Sequence, residues 1–178
     1  MNDKTPTAAD FHDARLARPR VLDTIVYGGI VVAILDGLFA FVFYGLILGV
    51  KPLRIFQSVA SGLLGRSSFD GGVRTFAFGL LLHFVVAICI AAVFYLASLK
   101  LPILIRHAVA SGLIYGLIAY LVMNYVVIPL SKIGLRPTTL RVFLPAFIAH
   151  AFLVGLPIAL LARRSARAPE TLRHDCQA

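Results

Sequence analysis

Apolar residues gather into four long blocks separated by short polar ones: Thr24–Val50, Thr75–Leu99, Ala108–Ser131 and Val142–Ala162, each 21 to 27 residues long. A helix rises about 1.5 Å per residue, so about 20 apolar residues cross a hydrocarbon core of about 30 Å. All four blocks meet that length, and the first exceeds it enough to tilt or project. The last three contain no charged residue, and the first contains one, Asp36. Tyr27, Tyr44, Tyr95 and Tyr125 fall near block ends, where amphipathic rings favour a membrane–water boundary. The pattern predicts an all-α, integral membrane four-helix bundle spanning 24–50, 75–99, 108–131 and 142–162.

A fifth, shorter element is expected between the first two spans. Pro52 suits a first helical turn, and Leu53, Phe56, Ala60 and Leu63 recur at helical spacing, with Arg54, Gln57, Ser58 and Ser61 on the other side and Gly65 as a stop. This spacing predicts an interfacial amphipathic helix, lying in the boundary or folded over the mouth of the bundle. The remaining chain divides into a polar N-terminal arm (1–23) and a basic C-terminal tail (163–178). The arm lacks the short apolar core and small-residue cleavage site of a signal peptide, so the first span is expected to serve as the targeting signal.

Composition agrees: 60% of residues are hydrophobic and 14% charged, with a mean hydropathy of +0.90. The net charge of +9 raises nucleic acid as a partner, but the cations flank the apolar blocks instead of forming a patch, as membrane anchors do. Lys and Arg number 4 + 2 + 4 = 10 on the side of the termini and 4 + 3 = 7 on the other. That difference favours cytoplasmic termini in a bacterial inner membrane. Cys89 and Cys176 are too few and too badly placed for a disulfide framework.

Small residues recur every four positions: Gly29, Ala33, Gly37, Gly45 and Gly49 in the first span, Gly79, Ala87 and Ala91 in the second, Gly112 and Gly116 in the third, Ala151, Gly155 and Ala159 in the fourth. Such ridges let membrane helices approach closely. Each span also carries one polar residue on or beside its ridge: Asp36, His83, Asn124 and His150. A carboxylate in a spanning helix costs about 2.5–3.5 kcal/mol on insertion scales, so it is expected to face inward and to have a function. Counting from the block ends puts His83, Asn124 and His150 at one level and Asp36 about 10 Å deeper, as a ladder of polar groups. Pro157 removes one helical hydrogen bond and marks a candidate hinge.

Arg74-Thr-Phe76…His83 and Arg141-Val-Phe143…His150 share their spacing. Anchoring at a helix start accounts for this more economically than duplication of a two-helix unit. The pair of histidines also raises haem b, with one imidazole from each of two facing helices as axial ligand, although the flanking Phe84 and Phe147 are bulky. Asp36-Gly37 resembles the start of the phospholipid-headgroup transferase pattern, but the further aspartates are missing, so no catalytic residue is assigned. No metal-ligating pair at helical spacing or phosphate loop is present.

Val59-Ala-Ser-Gly-Leu-Leu-Gly65, Gly71-Gly72, His83, Tyr115-Gly116, Met123-Asn124 and Pro129-Leu130-Ser131 together resemble a group of small four-span bacterial integral membrane proteins of unknown function. The resemblance covers about Gly28 to Ser131 and implies no activity. From the residues alone, two functions remain open. One is a proton-linked permease or transport component acting as a homo-oligomer, with Asp36 binding a proton or cation and His83, Asn124 and His150 lining the route. The other is a non-catalytic subunit or scaffold of a larger membrane complex, with a haem-binding electron-transfer protein a distant third.

Overall fold

Helix accounts for every regular element of the computed structural model, which describes residues 20–134 and 139–167. Four helices are long and apolar enough to cross a membrane: α1 (Leu22–Ile47), α3 (Gly72–Lys100), α5 (Ala108–Leu130) and α6 (Leu140–Ala166). The crossing helix α2 (Pro52–Leu64) joins α1 to α3, and a single turn, α4 (Ile103–Arg106), precedes α5. Helix α6 thus carries the first residues of the basic tail. Residues of the N-terminal arm up to 19, and of the tail from 168, lie outside the described residues.

Glycine ridges decide which helices touch. Gly29 and Gly37 of α1 face α3: a β-carbon on Gly29 would stand 2.7 Å from Ile88 Cα, and one on Gly37 would stand 3.4 Å from His83 Nε2. Between α5 and α6 the approach is backbone to backbone. A β-carbon on Gly112 would lie 2.9 Å from the Gly155 carbonyl oxygen, and one on Gly116 would overlap the carbonyl of His150. Helix α1 also packs along α6, so the tightly joined pairs are α1–α3, α1–α6 and α5–α6. The backbones of α3 and α5 stay apart, and Tyr115 reaches across instead, donating to the Ile90 carbonyl at 2.6 Å with its ring edge-on to Phe94.

The dry core fills the half of the bundle nearer the termini. Val32, Ala33, Ala87, Ala91, Phe94, Val154, Ile158 and Ala159 are all buried there. Small side chains dominate because helices held this close leave little volume between them, and dispersion supplies the cohesion. Further toward the termini, Thr24 and Ser165 approach at 3.4 Å, and Ser165 also accepts the Arg20 amide. The outward surfaces of all four long helices remain apolar, with Leu38, Leu81, Ile114 and Phe152 among many exposed side chains.

Helix α2 folds over the opposite end. Its entry and exit turn at Gly49 and Gly65, whose φ angles of 69° and 70° lie in the region that side chains resist. Ile55, Phe56, Gln57, Ala60 and Ser61 are buried, whereas Leu53, Arg54, Leu63 and Leu64 are exposed. The crossing point is Gly79 of α3, which meets the Phe56 carbonyl so closely that any side chain there would collide. Beside it, Gln57 donates to the Gly72 carbonyl at 2.9 Å and to Thr75 Oγ1 at 3.2 Å, while Ser68 donates to the Gln57 carbonyl at 3.0 Å. Helices α2 and α3 therefore form one rigid hairpin.

Several turns of the long helices are widened into π-helix: Leu22–Tyr27, Phe41–Ile47, Met123–Val127 and His150–Gly155. The last runs into Pro157, whose ring would crowd the Leu153 carbonyl in a regular α-turn. The wider turn absorbs that clash, and α6 continues through the proline.

Candidate functional site

Position along each helix sets the level of the polar residues. Asp36 lies 47 − 36 = 11 residues from the end of α1, His83 lies 83 − 72 = 11 from the start of α3, and His150 lies 150 − 140 = 10 from the start of α6. At about 1.5 Å per residue these three share one level. Asp36 is therefore not about 10 Å deeper than the histidines, because α1 stops at Ile47, short of Val50, and α6 starts earlier than the apolar block.

Asp36 and His150 are brought together, Oδ1 lying 3.8 Å from Nδ1. That distance suits charge interaction but is too long for a hydrogen bond. The nearer partner of His150 Nδ1 is the Ala146 carbonyl one turn back, at 2.9 Å. A carbonyl can only accept, so Nδ1 carries the hydrogen and the lone pair of the neutral ring resides on Nε2. In His83 the roles reverse. Its Nε2 donates to the Ala33 carbonyl of α1 at 2.9 Å, which leaves Nδ1 with the lone pair. Helix α1 thus shows Ala33 and Gly37 to one histidine and Asp36 to the other.

Exposure sets these residues apart from their neighbours. Asp36 follows Val32 and Ala33 by one turn on the same inward face, and those two are each 1% exposed. The Asp36 side chain is nevertheless 20% exposed, and that of His150 18%, although His150 shares its face with buried Ala146 and Val154. His83 is likewise half-buried between buried Gly79 and Ala87. Asp36, His83 and His150 therefore each keep part of their surface exposed, while their neighbours one turn away on the same helix faces are buried.

Aromatic rings flank both histidines. The Phe56 ring of α2 sits edge-on to His83 and to Phe76, with centroids 5.5 Å away in both cases. Tyr120 of α5 plays the same part for His150 at 4.9 Å and Phe143 at 5.3 Å. The repeated Phe-to-His spacing thus has a counterpart in packing, with one ring from a neighbouring helix bridging each pair. Arg74 and Arg141, which open the two repeats, are exposed. The sequence pattern had not paired Phe56 or Tyr120 with the histidines, although Tyr120 stands on the Gly112–Gly116 ridge and Phe56 on the apolar side of α2.

Asn124 does not join the cluster. It is 130 − 124 = 6 residues from the end of α5, inside a π-helical turn, and its amide donates to the Tyr120 carbonyl of its own helix at 2.9 Å. The four-member ladder is replaced by an Asp36–His150 pair, His83 on the other flank of α1, and a separate Asn124. Among the described residues no group of three or more His, Cys, Asp or Glu is placed to hold a metal ion. A haem between the histidines would need His83 to give up the Ala33 carbonyl or to bind through Nδ1.

No family model, curated protein or solved structure matches this chain.

Proposed function

We propose that this protein is a small multi-pass component of a bacterial cytoplasmic membrane, both termini cytoplasmic, that binds and releases a proton at Asp36 and His150 as part of proton-linked transport. The observation that carries this reading is the inward-facing Asp36–His150 pair, 3.8 Å apart and still partly accessible, set above a dry core. An ionisable group inside an apolar helix bundle is by default a site. The pair has two places for an arriving proton: the lone pair of His150 Nε2 and the carboxylate of Asp36. Uptake at Nε2 gives an imidazolium beside the carboxylate, and release reverses the same step. Because four helices enclose so narrow a space, a homo-oligomer would complete the route.

Proteoliposomes with a pH gradient test this reading. Wild-type protein is expected to carry protons, alone or with a solute, and Asp36→Asn to abolish the movement while leaving the fold intact. Wild-type vesicles as tight as empty ones, or a mutant as active as wild type, would refute it.

A second reading also has an observation in its favour. Among the described residues no buried side-chain nitrogen or oxygen lacks a partner, as expected if the polar groups only fix helix register in a scaffold or non-catalytic subunit. Interhelical hydrogen bonds of this kind contribute about 0.6–2 kcal/mol each. Purification in mild detergent separates the two: a stoichiometric larger partner favours the scaffold, a lone homo-oligomer the transporter. The resemblance to small four-span bacterial proteins is compatible with both.

A further inference from the structure

Two rigid pairs of helices meet along a thin seam. Helices α2 and α3 are locked together at Gly79 and through Gln57, Ser68 and Thr75. Helices α5 and α6 are locked through Gly112, Gly116 and Gly155. Between the pairs, α3 and α5 keep their backbones apart. Toward the termini Tyr115 bridges the gap, held at both the Ile90 carbonyl and the Phe94 ring. At the α2 end the tie is slighter: the Lys132 amide, just past α5, donates to the Gly62 carbonyl at 2.9 Å. His83 belongs to one pair and His150 to the other, and α1 runs along both.

We propose that the bundle opens along this α3–α5 seam at its α2 end, with the Lys132–Gly62 hydrogen bond as latch and Tyr115 as hinge, and that this opening admits water to the Asp36–His150 pair. The asymmetry of the two ties points to that end. The Tyr115 side chain is packed and bonded, whereas among the described residues the latch is one backbone hydrogen bond, whose net contribution is small. Moving α2 with α3 leaves the close Gly79–Phe56 contact intact and carries Phe56 along with His83, while α1, which packs on both halves, remains as their shared wall. Asp36 and His150 are already partly exposed, so parting the latch end is enough to widen their access to water. The inference deepens the transport reading by naming how its site is reached.

The latch can be fastened covalently. A β-carbon on Gly62 would lie 3.8 Å from Ser131 Cβ, which matches the usual separation across a disulfide. In a Cys89→Ser, Cys176→Ser background, Gly62→Cys with Ser131→Cys is expected to oxidise readily. In lipid nanodiscs in heavy water, exchange of the His150 imidazole C2 hydrogen, read by mass spectrometry, should slow about tenfold or more in the oxidised form and recover on reduction. The two single-cysteine variants should exchange at the parent rate. Failure of the disulfide to form, or equal exchange in the oxidised and reduced forms, would overturn the latch. If the disulfide slows exchange but wild-type vesicles carry no protons or solute, the latch stands and the transport reading falls.

Discussion

Replacing Gly116 by alanine probes the interface that carries His150. The added methyl carbon would stand 2.7 Å from Ala151 Cα and 2.8 Å from the His150 carbonyl carbon, against 3.4–4 Å for ordinary contact. Both obstacles are backbone, so neither can rotate away, and α5 and α6 must separate by about 1 Å. A gap of that size forfeits a quarter to a half of each contact's well of about 0.1–0.2 kcal/mol, and a close helix pair has a few tens of such contacts. The loss is about 2–3 kcal/mol, offset by up to about 1 kcal/mol from the better helix propensity of alanine. A net destabilisation of about 1–3 kcal/mol follows, within the usual range for overpacking. Gly28→Ala is the matched control, since its methyl would meet the Asp23 carbonyl oxygen and Leu161 at 3.7 and 3.8 Å, so it should be neutral or stabilising. The chain has no tryptophan, so unfolding by sodium dodecyl sulfate is best followed by far-ultraviolet circular dichroism. A Gly116→Ala protein as stable as Gly28→Ala would refute the backbone-to-backbone packing, and with it the placement of His150 beside Asp36.

Further tests separate the roles of individual side chains. Gly79→Ala should loosen α2 from α3 and speed proteolysis within 52–71, because the new methyl would strike the Phe56 carbonyl; unchanged cleavage would count against the crossing. Phe56→Ala should raise C2-hydrogen exchange at His83, whose imidazole it covers, and unaltered exchange would show that the ring is no lid. Asn124→Leu should shift stability by less than about 1 kcal/mol, since the amide bonds only its own helix; a loss as large as that of Gly116→Ala would assign Asn124 an interhelical role. Protein from haem-supplemented cells should be colourless, because His83 Nε2 is engaged by Ala33, and a Soret band lost in His83→Ala would reverse that reading.

The chain itself determined four helices and a fifth crossing element, because length, hydropathy and glycine spacing are local properties that no distant contact has to supply. It also singled out Asp36 and His150, since polar groups in apolar runs are costly enough to be conspicuous. Which polar residues meet was a tertiary matter. Asp36 looked deeper than His150 only while helix ends were taken from the edges of the apolar blocks. A shift of two or three residues at each end, set by the turn at Gly49 and the start of α6 at Leu140, brought the two level. Asn124 looked equivalent to the histidines from its spacing, yet its π-helical turn lets it bond back to Tyr120. The aromatic walls were illegible for a different reason. Phe56 and Tyr120 are ordinary apolar residues in sequence, and their importance comes only from the helix crossings that set each ring against an imidazole.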